Sequence, residues 1–495
     1  MRNIFFFPAF LLIVATVPIR SLLTAQQACQ NACSLLERYQ SNATLFASDG
    51  DAYTTQQEAH WKTAWKTPTC IYSPQSIDDV VHAIKILQST KSKFAVRGGG
   101  HSPLSAWANI DNGVLISMRA ISDKVYDPAT ETVRVGFGCT WMEVYQFVEL
   151  HSRLVVGGRA STVGMGMIMG GGLSHLSNAY GFASDNVVSY ELVLANATIV
   201  MASADSHQDL FYALKAGANN YGITTHVTLR TYPLSKAWGG TLVYTNEYRD
   251  QLMEALTIYQ HSGQLDTKSA LLAYLGINNN TAYVSLVYLD AVRRPQAFKP
   301  FYDIPSVVDT TRFYDKFGDI LAEQVDRVVP RWTFGATTFF LDNETYVDAA
   351  RISQIAAERL STVNGGTMVL MPQPISKSMI KASRERGENP MIPQDREQMW
   401  FCINIGWNFK SDDEAVGSIL MDTLDQIDGI TKERNLYDPF IFLNDAYHSQ
   451  NVFRSYGVET LNKMQAIGKR YDPEQMFQHQ VPGGFKLYSA NRRTP

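Results

Sequence analysis

The stretch "FAVRGGGHSPLSAW", Phe94 to Trp107, decides how the chain folds. A β-branched and aromatic run breaks into three consecutive glycines, and a histidine follows them directly. Successive glycines let backbone N–H groups converge on an anion, because without Cβ atoms the chain can take positive φ and approach closely. Gly98, Gly99 and Gly100 therefore read as a cradle for a phosphate or pyrophosphate, with His101 at its rim.

A second cluster, "STVGMGMIMGGGLSHLSNAYGFASDNV", runs from Ser161 to Val187. A dinucleotide fingerprint of the G-x-G-x-x-G kind follows a strand, opens a helix and has an acidic residue about twenty positions later. Gly164-Met165-Gly166 fits only its first half, so a dinucleotide fold of a different kind is expected.

Upstream of the first glycines, "CIYSPQSIDDVVHAIKILQST" reads as a strand end, a capped start at Ser76 and an amphipathic helix carrying Val80, Val81, Ala83, Ile84 and Ile86. With "KFAVRGGG" this makes a β–α–β beginning. Downstream come short β-like segments from "GVLISM" to "TVRVGFG", a helix in "CTWMEVYQFVELHS", and a hairpin in "YELVLANATIVMAS" that turns at Asn196-Ala197. A short helix, a glycine-rich turn and a strand then reach about Pro233. Between about Ser235 and Tyr437, helix-like "RDQLMEALTIYQHSG" and "ETYVDAARISQIAAERLSTV" alternate with β-rich "SALLAYLGI", "TAYVSLVYL" and "MWFCINIGWNF". Such blocks predict an α+β unit with an antiparallel sheet.

With 495 residues, 45% of them hydrophobic and 18% charged, the chain can bury a large core divided over two or more units. A net charge of -4 gives no reason to expect a nucleic-acid partner. The apolar run Ile4 to Val17 is short for a membrane span and fits the core of a secretory signal cleaved after Ala25; an uncleaved anchor is the rival reading. Glycosylation triplets start at Asn42, Asn196, Asn279 and Asn343, and Cys70 can pair with Cys33 or Cys29 in an oxidising compartment. Cys139 and Cys402 complete the set, and no closely paired spacing marks a zinc site.

In this order and spacing the motifs resemble the berberine-bridge-enzyme-like branch of the vanillyl-alcohol-oxidase flavoproteins, which carry a PCMH-type FAD domain. The resemblance rests on "TPTCIYSPQSIDDVVHAI" with "VRGGGHS", on the second glycine cluster, on "DLFYALKAGANNYGITT", and on "FLNDAY" and "YDPEQMF". It implies a signal at 1–25, an arm at 26–65, a two-part FAD domain at 66–235, a substrate domain with a helix-backed antiparallel sheet at 236–437, and a segment at 438–495 that returns to the FAD domain. It also implies that His101 bonds covalently to the flavin 8α-methyl, and that the cofactor is cradled by Arg97, Gly98, Gly99, Gly100, Ser102, Thr162, Val163, Gly164, Gly170, Gly171, Gly172, Tyr180, Gly181, Asp185, Asn186, Val187, Gly222, Ile223 and Asn444. Where relatives have a second tether, a cysteine, this chain has Ala160, so a single bond to FAD is expected. Phe442 stands where relatives have a tyrosine.

The implied chemistry is oxidation of a small molecule, with hydride passing to the flavin, a base taking a proton, and dioxygen restoring the flavin. Val163, where a valine resembles the oxidases, is the expected oxygen gate. The glutamate base of some relatives corresponds to Leu370, which leaves Tyr180, Tyr447, Gln373 and Asn404 as candidates. The expected substrate is an alcohol, amine or phenol of specialised metabolism; the alternatives are a carbohydrate oxidase using Trp332, Trp400 and Trp407, and a cyclase or scaffold that holds flavin without net redox. No stable membrane insertion is expected after cleavage. His175 and His226 read as satisfied structural residues.

Overall fold

A computed structural model describes residues 19–278, 280–323, 329–391 and 393–489. The apolar run of the signal reading and the triplet at Asn279 lie outside the described residues. Among the described residues no helix is long and apolar enough to cross a membrane.

The first sheet orders its strands Thr44–Leu45, Cys70–Tyr72, Val114–Ser117 and Phe94–Arg97, the last three parallel. Helix Ile77–Thr90 connects the outer parallel pair. Its start is the capping box visible in the sequence: Ser76 N–H donates to the Asp79 carboxylate at 2.9 Å, and Asp79 N–H donates back to Ser76 Oγ at 3.2 Å. Cys33 forms the disulfide to Cys70, while Cys29 is buried and free, which resolves the open pairing. The bridge ties helix Ile19–Tyr39 to the sheet.

A second sheet is antiparallel, in the order Lys124–Asp127, Thr132–Gly136, Ile223–Pro233, Val187–Val193 and Ile199–Ser203. The last two form the expected hairpin, and Ala197 takes φ 64° in its turn. On this sheet His226 is satisfied on both ring nitrogens, by Glu191 at 2.7 Å and Asp123 at 2.8 Å.

The third sheet is large and antiparallel. Ala237–Thr245, Thr281–Tyr288, Ser269–Gly276, Thr367–Ile375, Gln398–Trp407 and Arg331–Phe340 follow one another across it. Side chains alternate along each strand, so one face carries Leu242, Tyr244, Leu271, Ala273, Leu275, Ile403 and Ile405 into a core with helices Arg249–His261, Asn343–Glu358 and Asp413–Glu433. The opposite face looks toward the two smaller sheets. The α+β architecture expected from the alternating blocks is the one observed.

Alternation also corrects one expectation. Leu370, assigned to the base position of relatives, is fully buried in the helix-backed core, whereas Val369 and Met371 face the other way. With a period of two, a register error of one residue moves a side chain to the opposite face.

Candidate active site

The two glycine clusters meet backbone to backbone. A Cβ on Gly99 would lie 2.7 Å from both the Cα and N of Gly164, and one on Gly164 would lie 2.4 Å from the Gly99 nitrogen. A Cβ on Gly98 would lie 3.1 Å from the Phe137 carbonyl oxygen, and Gly100 takes φ +70°. No other residue permits such an approach without moving one of the loops. Together they wall one side of a cavity of about 1000 Å³, whose opposite wall is the free face of the large sheet.

His101 lines this cavity with Nε2 buried and without a hydrogen-bond partner among the described residues. Burial, with His60 stacked on it at 4.3 Å, pushes its pKa down to about 3, so the imidazole is neutral and its nitrogen nucleophilic. Gly98, Gly99, Gly100, Ser102, Val163, Gly164, Gly170, Gly222, Ile223, Asn404 and Asn444 also line the cavity, as does Ala160. Gly170 is bare because Asn444 needs the space: a Cβ there would lie 2.2 Å from Asn444 Oδ1. The lone buried nitrogen and the bare-backbone cradle fit a dinucleotide cofactor.

Several expected site residues lie elsewhere. The Arg97 guanidinium turns under Gly100 and donates to the Gln56 and Glu58 carbonyls, so it anchors the N-terminal arm. Thr162, Gly171, Gly172 and Gly181 are not among the residues that line the cavity. The Asp185 carboxylate accepts from Phe182 N–H at 2.9 Å and Asn389 Nδ2 at 2.8 Å, and Asn186 donates to the carbonyls of Tyr180 and Phe182. These bonds, with buried Val187, brace the turn into the hairpin strand. Neither candidate tyrosine reaches the cavity lining. Tyr180 stacks on Tyr232 at 3.8 Å under Arg386, yet burial and Tyr232 raise its phenol pKa despite that cation. Burial and Asp413 likewise raise Tyr447, which packs against Gly417. Both effects oppose use as a base. His175 is buried with neither ring nitrogen partnered among the described residues, unlike the satisfied histidine expected.

A polar cluster, of which sequence reasoning named Gln373 but missed Arg159 and Asp445, closes one end of the cavity. Arg159 and Asp445 line it, and buried Gln373 joins them: its amide oxygen accepts from the Arg159 guanidinium, and its Nε2 donates to the Asp445 carboxylate. Burial pushes the Asp445 carboxyl up to about 6, against the opposing pull of Arg159 and Gln373. Asn404, on the neighbouring strand, donates to the Val369 carbonyl at 3.4 Å. The wall beyond is mostly apolar, with Val243, Leu272, Val369, Met371, Phe334 and Trp332. Of the tryptophans expected to stack sugars only Trp332 is in this wall. Trp400 is fully buried against Phe182 and Phe442, and Trp407 donates to Asp413.

A glycine cradle and a neutral histidine facing an antiparallel substrate wall define an FAD-dependent oxidoreductase, and residues 68–203 match the family described as FAD binding domain. The chain belongs to the FAD-dependent oxidoreductases that its relatives represent, and it has the fold of the berberine-bridge-enzyme-like flavoproteins. It is 45% identical over 457 residues to the bifunctional solanapyrone synthase of Alternaria solani, covering 92% of this chain and 89% of that protein. In fold it is similar to the berberine-bridge-enzyme-like protein 1 of Physcomitrella patens (TM-score 0.72, 17% identity, 91% and 99% of the two chains covered). It is similar also to the glucooligosaccharide oxidase of Acremonium strictum, whose cofactor is named as 6-S-cysteinyl, 8α-N1-histidyl FAD (TM-score 0.73, 17% identity, 90% and 97% covered).

Proposed function

We propose that the chain is a secreted oxidase that holds FAD through one bond at His101 and oxidises a small, largely apolar alcohol, amine or phenol of specialised metabolism, returning electrons to dioxygen. The observation that carries this reading is the single cavity joining the glycine cradle and His101 to an apolar sheet face.

FAD, when bound, accepts a hydride from a substrate carbon. The chain supplies everything else. Gly98 to Gly100 and Gly164 present bare backbone to the pyrophosphate, Asn444 is held in the cavity wall by its Nδ2 donating to the Met167 carbonyl at 3.0 Å, and His101 offers its unpartnered nitrogen to the flavin methyl. Ala160 has no thiol, so the second bond of the doubly tethered oxidase is not available here. Val163, half-buried in the cavity wall, is the oxygen gate. Val243, Leu272, Val369 and Met371 exclude water from an apolar substrate, and they argue against a sugar, which needs polar partners along its length.

Export is supported by the Cys33–Cys70 bridge and by the exposure of Asn42, Asn196 and Asn343. Recovery from the native host of unglycosylated protein beginning at Met1 would refute it. A second reading is that the same cavity serves as a cyclase or scaffold that holds flavin without net redox; the relative's name says only that it is bifunctional. The redox reading is tested by mixing the yellow holoenzyme with candidate substrates under nitrogen. Bleaching of the flavin supports an oxidoreductase, whereas ring closure with the flavin left oxidised identifies a cyclase scaffold.

A further inference from the structure

We infer that Asp445 is the catalytic residue that takes the substrate's hydroxyl proton, with Gln373 and Arg159 as positioning residues, and that the substrate is a neutral alcohol. The inference rests on the oxidase reading above and names its substrate class and its base.

Two acidic residues, Asp445 and Glu323, line the cavity. Glu323 is engaged by Arg312 and by the Tyr314 hydroxyl at 2.6 Å. Asp445 spends one oxygen on the Gln373 amide, and no hydrogen bond among the described residues reaches the other. It closes the turn Leu443–Asp445, directly after Asn444, whose side chain meets Gly170 on the cradle side. The carboxylate thus stands where the cradle and the substrate wall converge.

The amide between Asp445 and Arg159 matters. A guanidinium in direct contact would hold the carboxyl ionised and strongly hydrogen-bonded, a poor proton acceptor. With Gln373 interposed, burial outweighs the cation and the group is poised near 6, where a base is unprotonated at neutral pH yet still basic. The groups that face it are Gln373 on Thr367–Ile375, Cys402 and Asn404 on Gln398–Trp407, and Arg159. Arg159 in turn faces Tyr274 and His175. Burial and the Asp445 charge push the Cys402 thiol up, so it stays neutral.

In the step, the O–H bond breaks, its proton goes to the free Asp445 oxygen, and its electron pair forms the C=O bond. The carbinol C–H leaves with its electron pair to the flavin, the oxidant, so an alcohol becomes a carbonyl compound by loss of two hydrogens. Arg159 at the same end favours an oxygen that gains negative charge and repels an ammonium group, which selects the alcohol over the amine.

The test uses the flavin-loaded enzyme with cinnamyl alcohol, 2,4-hexadien-1-ol and cinnamylamine as probes, and an infrared titration of its buried carboxyl band. The parent should be reduced by an alcohol, at a rate that rises with pH through about 6, because only the deprotonated carboxylate accepts a proton. Asp445→Asn, with flavin content unchanged, should lose about 100-fold or more of that rate, its pH dependence and the titrating band. Arg159→Gln should move the band's midpoint upward, because the cation that lowers it is gone. An Asp445→Asn variant reduced as fast as the parent, or a band that persists in it, overturns the assignment of the base. Faster reduction by the amine overturns the substrate class. If no alcohol bleaches the parent flavin, the alcohol-oxidase reading falls, and the infrared midpoint still decides whether Asp445 is poised as described.

Discussion

Gly99→Ala isolates the contact on which the cofactor cradle depends. The new Cβ would sit 2.7 Å from the backbone of Gly164, where ordinary contact begins at 3.4 Å, so the two loops must part by about 0.7 Å. Neither partner is a flexible side chain that can swing aside. Gly164 is further pinned by its bridge to Thr140, and its neighbours by Trp141 N–H to the Val163 carbonyl at 2.9 Å and Met165 N–H to the Cys139 carbonyl at 3.2 Å. Gly99 carries no left-handed φ, so the cost is steric alone, about 1 to 3 kcal/mol for overpacking of this kind. Gly429→Ala provides the comparison: its Cβ meets nothing within 4 Å in helix Asp413–Glu433, and alanine there should stabilise by about 0.5 to 1 kcal/mol. Urea unfolding gives the stability of each variant, and flavin absorbance after desalting gives the loaded fraction. Gly99→Ala should fall in both, and Gly429→Ala in neither. A Gly99→Ala protein with parental stability and full flavin content would show that the loops do not make the contact the cradle requires.

Acid-precipitated parent should keep a yellow pellet, while His101→Ala should release its FAD to the supernatant; a thioether-linked flavin peptide from the parent would defeat the single tether. Val163→Ile and Val163→Leu should slow reoxidation by dioxygen far more than reduction by substrate, because an added methylene in a close-packed wall obstructs a small channel. Equal falls in both half-reactions, seen by stopped flow, would remove the gate role. Replacing Cys33 and Cys70 together by serine should cost about 4 kcal/mol, the loop-closure value for a separation of 37 residues, and reduction of the parent should match it in urea titration. Indistinguishable unfolding midpoints would show that the bridge constrains nothing.

Local chemistry made much of the fold readable in the sequence. Ser76 and Asp79 lie three residues apart and cap each other, the Asn196-Ala197 turn sits between two apolar runs, and the large sheet's strands alternate with strongly periodic helices. That the glycine turns and His101 belong to one place was legible for the same reason, since the close approach depends on bare backbone. What failed depended on distant partners. Whether Leu370 or Val369 faces the cavity is set by pairing with other strands, and one step of register inverts the answer. Tyr180 and Tyr447 sit near the right motifs but pack against Tyr232 and Gly417 and do not line the cavity. Arg159 and Gln373 are 214 positions apart, and nothing local announces their bond. One signal was present: Asp445 puts a carboxylate inside the otherwise uncharged "FIFLNDAY", directly after Asn444, the residue singled out there.

The N-terminal arm carries a consequence for biosynthesis. His60 N–H donates to the Gly100 carbonyl at 3.2 Å, Lys62 N–H to Pro330 at 2.8 Å, and the Thr63 hydroxyl to Trp332 at 3.1 Å, while Trp61 stacks on Trp332 at 5.5 Å. The arm therefore fastens the cofactor loop to the substrate wall. Thr63 and its partner are 269 positions apart, so the arm leaves the ribosome on the order of ten seconds to a minute before the strand it grips. Cys33 and Cys70 emerge close together and can join early; the latch over His101 can shut only once Arg331–Phe340 has been made. Until that strand is made, the bonds that fasten the arm across the glycine loop to the large sheet have no partner.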